Sequence, residues 1–160
     1  DEVLDLARFA VDRGLDISFI EEMPLGEISS HSRNSTQVSS AQIRQQLASE
    51  FTLLDSAEST GGPSRYLQVA HSPSKIGFIS PMSNNFCDTC NRVRLTAQGR
   101  LLLCLGNENS VDLRAVLRRY PGDIKRLKQR IIHAIEKKPE RHYFDPNRTD
   151  IVRFMNMTGG

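Results

Sequence analysis

Three cysteines, Cys87, Cys90 and Cys104, lie within eighteen residues in a C-x2-C-x13-C pattern. A C-x2-C turn lets two thiolates converge on one metal centre, and a hairpin between Cys90 and Cys104 can fold the third back beside them. Three thiolates are one short of the four Cys or His ligands that close a structural zinc site. The four histidines, His31, His71, His133 and His142, lie outside the motif, and none is spaced as an obvious fourth ligand. A cubane iron–sulfur cluster on three cysteines would keep one iron open to a substrate nitrogen or oxygen. Spacing alone leaves that cluster and a zinc knuckle with a distant fourth ligand equally open. Arg92 and Arg94, two apart on a predicted strand, project to one face, which parity shares with Cys90 and Thr96. Planar guanidinium forks suit bidentate contact with phosphate. The plainer alternative is an arginine pair facing solvent or salt-bridged to Asp88 or Glu108.

The chain that must position these groups has 160 residues, 38% of them hydrophobic and 25% charged, which is ordinary composition with one sizeable core as the default. No window approaches eighteen consecutive apolar residues, and the start, Asp1-Glu2-Val3-Leu4-Asp5, is acidic, so neither a membrane span nor a secretory signal is expected. An odd number of cysteines argues against a disulfide framework and for metal or redox chemistry in a reducing, cytoplasmic compartment. Residues 111–160 carry 12 Lys/Arg against 6 Asp/Glu, whereas residues 1–110 carry 9 against 13. Such a basic tail steers an anionic partner such as RNA, a membrane surface or a nucleotide, or simply forms a solvated helix face.

Val3, Leu6, Ala7, Ala10 and Val11 recur at helical spacing, Asp1 can cap the start and Gly14 follows as a stop, so residues 2–13 read as an amphipathic helix. Leu15, Ile17 and Phe19 alternate, giving a strand over 15–22 that Pro24 and Gly26 end. A helix–strand step with no earlier strand to pair in parallel suggests that the chain begins inside a larger α/β architecture. Residues 24–38, with His31 and Arg33, read as a long exposed loop. Ser39 and Ser40 can cap a helix through Ile43 and Leu47, followed by strands at 51–54, 65–70 and 76–80. After the cysteines, strands at 92–97 and 100–104 flank a Gln98-Gly99 turn as a hairpin. Leu113, Val116 and Leu117 mark one helix, and Ile124, Leu127, Ile131, Ala134 and Ile135 a longer one that Pro139 ends. Glu21 and Glu22 are adjacent, so they point to opposite faces of a strand, and at least one is expected to cap or face solvent rather than act as a general base.

Phe86-Cys87-x2-Cys90-Asn91-Arg92-x-Arg94-Leu95-Thr96, then Gly99-x-Leu101-x3-Cys104-Leu105, resembles the C-terminal cluster motif of the GTP 3′,8-cyclases of molybdenum cofactor biosynthesis, which are radical S-adenosylmethionine lyases. Phe19-Ile20-Glu21-x-Met23-Pro24 resembles that family's last barrel strand, and Asn109-x-Val111-x-Leu113-Arg114 and Gly159-Gly160 resemble its helical region and tail. The resemblance implies an α+β chain: residues 1–26 as the terminal helix–strand of an incomplete, TIM-like α/β barrel, and residues 27–160 as an antiparallel-strand and helical domain for a [4Fe–4S] cluster and GTP. It implies that Cys87, Cys90 and Cys104 hold the cluster, whose open iron takes the guanine of GTP. Arg92, Val93 and Arg94 would form the GTP-binding segment, Met23 would contact S-adenosylmethionine, and Gly159 and Gly160 would enter the active site. No catalytic acid or base is implied in this chain. The implied product, 3′,8-cyclo-7,8-dihydro-GTP, passes to a partner enzyme that makes cyclic pyranopterin monophosphate.

Two departures from the family pattern stand out. No cysteine precedes Cys87, so the C-x3-C-x2-C motif of the first, radical-generating cluster is absent, and the resemblance implies a C-terminal fragment inactive by itself. Ser18 stands where the family commonly has Arg before Phe-Ile-Glu, which puts one polar contact in doubt. The apolar surface of residues 1–22 is expected to be covered by self-association, as in a homodimer, or to be disordered. The competing readings are a non-catalytic zinc module that binds nucleic acid through its basic tail and a structural fragment with free cysteines. The family reading expects neither nucleic acid nor a membrane as partner.

Overall fold

Apolar residues at helical spacing set the first element, α1 (Val3–Asp12), which buries Ala7 and Ala10. The computed structural model describes residues 2–26, 36–142, 144, 151, 153 and 155–158. The chain divides into two compact units, Asp1–Met23 with Ser35–Phe86, and Pro24–Asn34 with Cys87–Gly160. In the first unit β1 (Ile17–Ile20) follows α1, and α2 (Ser40–Leu47) follows the loop. Ser39 caps α2 by accepting from the Gln42 N–H while the Gln42 side chain accepts from the Ser39 N–H, a reciprocal capping box. Strands β2 (Leu53–Asp55), β3 (Arg65–Val69) and β4 (Lys75–Ile79) complete a sheet in the order β1-β4-β3-β2. The β2–β3 and β3–β4 pairs are antiparallel, whereas β1 runs parallel to β4 with Ile17 level with Ile76 and Ile20 with Ile79. Leu47 and Ile76 are fully buried, and Ala7, Ile43, Leu67, Val69 and Phe78 close around them. Burying side chains of this size contributes about 1.5–3 kcal/mol each.

The second unit opens with a one-turn 3-10 helix at Cys87–Thr89, followed by β5 (Arg94–Leu95), β6 (Arg100–Leu102) and β7 (Ser110–Asp112) as an antiparallel sheet in sequence order. Helices α3 (Leu113–Arg119) and α4 (Ile124–Ile135) start on aspartate caps, Asp112 accepting from the Ala115 N–H at 2.8 Å and Asp123 from the Arg126 N–H at 2.9 Å. Leu101, Leu103, Leu113 and Ala134 form the core here, with Val111, Leu127 and Ile131 against it. Gly99 turns the β5–β6 hairpin at φ +79°, and its carbonyl accepts from the N–H groups of Leu113 and Arg114 at 2.9 and 3.2 Å. A Cβ at Gly99 would lie 2.8 Å from the Arg114 Cβ, so both the left-handed backbone and the close approach require glycine.

The chain is a mixed α+β protein in which the strands are mostly shorter than the sequence reading placed them. The 15–22 strand is ordered as a strand only over 17–20, the 92–97 strand over 94–95 and the 100–104 strand over 100–102. The step at 1–22 does not stand alone, because β1 finds its parallel partner in β4, far along the chain. β7 escapes the sequence reading because it is three residues long with one apolar side chain, Val111. Helix α1 has Glu2 at its N-cap with no side-chain cap bond, and Asp1 lies outside the described residues. Of the 24–38 loop, residues 27–35 with His31 and Arg33 also lie outside them. Among the described residues no helix is long and apolar enough to cross a membrane.

Just past β1, Glu21 is only 2% exposed, and its carboxylate accepts from the N–H groups of Ser40, Met82 and Ser83 and from the Ser83 hydroxyl, at 2.5–3.1 Å. One side chain thus ties the end of β1, the first turn of α2 and the turn after β4. Burial pushes the Glu21 carboxyl up, but those four donors outweigh it and hold the group below its ordinary value of 4.5. Glu21→Gln is expected to cost about 2–3 kcal/mol near neutral pH, because the amide accepts with one oxygen and turns donors toward donors. The folded carboxyl ionises at a lower pH than the unfolded one, so its stabilisation is complete above about 4.5 and disappears as pH falls through the folded value. Urea unfolding of both proteins across pH 3–7 should therefore show the difference shrinking toward acid; a constant difference would contradict the ionised clasp.

Candidate metal centre

The Cys90 N–H donates to the Cys87 carbonyl at 3.0 Å, closing the 3-10 turn that brings the two cysteine residues together along the chain. Cys104 lies two residues past the end of β6 at Leu102, and Arg92 two residues before the start of β5 at Arg94, the pair at which the two strands first meet. All three cysteines are half-buried and unbridged. Each sulfur accepts one N–H: Cys104 Sγ from the Gly106 backbone at 3.3 Å, Cys87 Sγ from the His142 backbone at 3.5 Å, and Cys90 Sγ from the Lys138 ammonium at 3.8 Å. The donors of Cys87 and Cys90 come from the segment after α4, where the Lys138 N–H closes a turn onto the Ile135 carbonyl at 2.9 Å. His142 is held by its ring, 4.5 Å from that of Phe144, and by Nδ1, which accepts from the Phe144 N–H at 3.3 Å.

Burial pushes the Cys104 thiol above its ordinary range and the charges of Cys90 and Cys87 add to the rise, while the Gly106 N–H and the Lys138 charge pull it down. Cys104 therefore stands within electrostatic reach of Cys87, Cys90 and Lys138. Among the described residues, no three His, Cys, Asp or Glu side chains converge as ligands of a single metal ion. A cubane asks for something different, since its thiolates sit on separate irons and its sulfurs accept N–H bonds from the protein. Three half-buried thiols with an N–H aimed at each sulfur are the donor chemistry that such a cluster needs.

Exposure alternates along the segment after Cys90: Arg92, Arg94 and Thr96 are the more covered positions, Val93 and Leu95 the exposed ones. That is the parity expected of an extended strand carrying Cys90, both arginines and Thr96 on one side, although the hydrogen-bonded ladder covers only Arg94 and Leu95. Thr96 is buried and its hydroxyl accepts from the Arg100 N–H at 3.2 Å, fixing the base of the hairpin. Glu108 pairs with Arg153, whose Nε lies 2.7 Å from the carboxylate and whose Nη2 donates to the Asn107 carbonyl. Met23 is half-buried and belongs to the first unit. Ser18 is exposed on β1, its hydroxyl 3.1 Å from that of Ser64. Gly159 and Gly160 lie outside the described residues. Among the described histidines, only His142 stands beside a cysteine, through its backbone. Sequence reasoning missed Lys138 and His142 as neighbours of the cysteines, for they are 48 and 55 residues from Cys90 and Cys87 and carry no local signal.

Against this arrangement, a family model described as Molybdenum Cofactor Synthesis C matches residues 15–144, and the chain belongs to that family. Among its relatives, a protein of Pseudomonas fluorescens named GTP 3′,8-cyclase is 62% identical over 99% of this chain. Proteins of the same name from Pseudomonas entomophila and Saccharophagus degradans are each 61% identical, over 100% and 99% of the chain. The chain spans about half the length of these relatives, 48% of each, and corresponds to their C-terminal part.

Gly106 links two of the three sulfurs, since a Cβ there would lie 2.4 Å from the Cβ of His142. Gly106→Ala must push the 141–142 segment away from Cys87, and a loss of about 1–3 kcal/mol is expected. Thermal melting together with hydrogen exchange of the His142 amide tests this, the expected result being a lower midpoint and faster exchange. Unchanged exchange at His142 would break the link between the two loops.

Proposed function

We propose that this chain is the C-terminal part of a GTP 3′,8-cyclase, in which Cys87, Cys90 and Cys104 hold a [4Fe–4S] cluster and Arg92, Val93 and Arg94 line the site for GTP. The observation that carries this reading is the set of three half-buried thiols, each accepting one N–H. The cluster, when bound, supplies an iron open to a nitrogen or oxygen of the guanine. The chain's own residues then do the positioning. Arg92 and Arg94, on the side of the extended segment that Cys90 shares, take the triphosphate through paired N–H contacts, and Val93 supplies an apolar edge between them. Holding base and phosphates at two points orients the ribose, a proximity effect that needs no acid or base from this chain.

In this reading residues 27–160 are the cluster and GTP domain, and residues 1–26 are the last helix–strand of the parent's barrel. Support for the second part is that, among the described residues, β1 is an edge strand running parallel to β4, with Ile20 exposed on it. A second cluster and S-adenosylmethionine belong to the other half of the parent, with Met23 reaching the latter. The product passes to the enzyme that forms cyclic pyranopterin monophosphate, and by this reading the chain works in the cytoplasm.

Anaerobic reconstitution is expected to give about four irons and four acid-labile sulfides per chain, lost in Cys104→Ser. Equilibrium dialysis with GTP should then show tenfold or weaker binding for Arg92→Ala and for Arg94→Ala. One zinc without sulfide, after the same reconstitution, would replace this reading with the zinc module.

A further inference from the structure

The segment that follows α4 contributes no cysteine, yet it supplies the only side-chain donor shown to reach one of the three sulfurs among the described residues. Lys138 is half-buried, its Nζ stands 3.8 Å from Cys90 Sγ, and the turn onto Ile135 and the following Pro139 fix where its stem begins. The other two sulfurs receive neutral backbone N–H groups, from Gly106 and His142. Lys138 is therefore the one of the three donors with a full charge. Its influence extends past Cys90, because the same charge also acts on Cys104.

We propose that Lys138 is a positioning residue that sets the charge balance of the three-cysteine site and so raises the reduction potential of whatever iron–sulfur centre those thiolates carry. This inference rests on the cluster reading above. Three thiolates around a cubane leave the assembly with net negative charge, and reduction adds one more. A cation beside one ligand favours the more negative state, and net charge and hydrogen bonds to sulfur are two of the quantities that set such potentials. The low local dielectric of a half-buried site makes a charge at this distance act more strongly than one in open water. The lysine also offers its charge without competing for iron, since an ammonium has donors and no lone pair.

The test uses this chain, reconstituted anaerobically, as wild type, Lys138→Met and Lys138→Arg. Iron and sulfide are counted first, and the midpoint potential is then taken from an electron paramagnetic resonance titration. The methionine variant keeps the bulk of the stem and loses the charge, while the arginine variant keeps the charge. The expected result is a full cluster in all three, with Lys138→Met reduced about tenfold less readily, a negative shift of about 59 mV for a one-electron couple, and Lys138→Arg near wild type. Loss of the cluster from Lys138→Met alone also supports the charge role. Equal potentials in loaded wild type and Lys138→Met would overturn the inference while leaving the cluster reading intact, as would loss of the cluster from both variants, which would mark a packing role. Absence of iron and sulfide from the wild type would overturn the cluster reading, and this inference with it.

Discussion

Burial and the neighbouring Cys90 and Cys87 disfavour the thiolate form of Cys104, while the Gly106 N–H and the Lys138 charge favour it. Much of the second unit answers to that constraint. The 3-10 turn at Cys87–Thr89 sets two sulfurs close in sequence, the β5–β6 hairpin returns the third, and the stretch after α4 delivers donors to the first two. The core of Leu101, Leu103, Leu113 and Ala134 serves the same end, because it fixes β6 and α4, the elements from which Cys104 and Lys138 depart. Gly99 and Gly106 are the places where backbone has to come closer than any side chain would allow.

The first unit is organised by a different polar group with a similar logic. Glu21 is buried and charged, and four donors from two separate segments converge on it. A carboxylate satisfied this way specifies how β1, α2 and the turn after β4 meet, since any other arrangement strands a charge. Its neighbour Glu22 is half-exposed, so two adjacent glutamates differ in burial according to which side of the chain they leave.

What was legible in the sequence was what is local. The apolar spacing of Val3 to Val11 and of Ile124 to Ile135 marks helices because 3.6-residue periodicity is written within a few turns. The C-x2-C turn, the glycine turn at Gly99 and the capping serine before Ser40 were legible for the same reason. The partner of β1 was not, because parallel pairing depends on which distant strand arrives, and Ile17 meets Ile76 across more than a third of the chain. Lys138 and His142 were hidden likewise: one reads as part of a basic helix end and the other as a stray histidine until the fold brings them to Cys90 and Cys87. The shared face of Arg92 and Arg94 follows from strand parity, and the alternating exposure from Asn91 to Thr96 has that period.

The parallel docking of β1 bears on how the chain folds. Strands β2, β3 and β4 pair with sequence neighbours through short connections, so they close cheaply and early, whereas β1 waits for the loop between it and β4 to be gathered in. Until then the apolar face of Ile17 and Phe19 has no sheet to pack with, and even afterwards one edge of β1 keeps its backbone groups free of any strand among the described residues. With Ile20 58% exposed at that edge, strand-to-strand aggregation becomes the characteristic hazard of this unit during slow refolding.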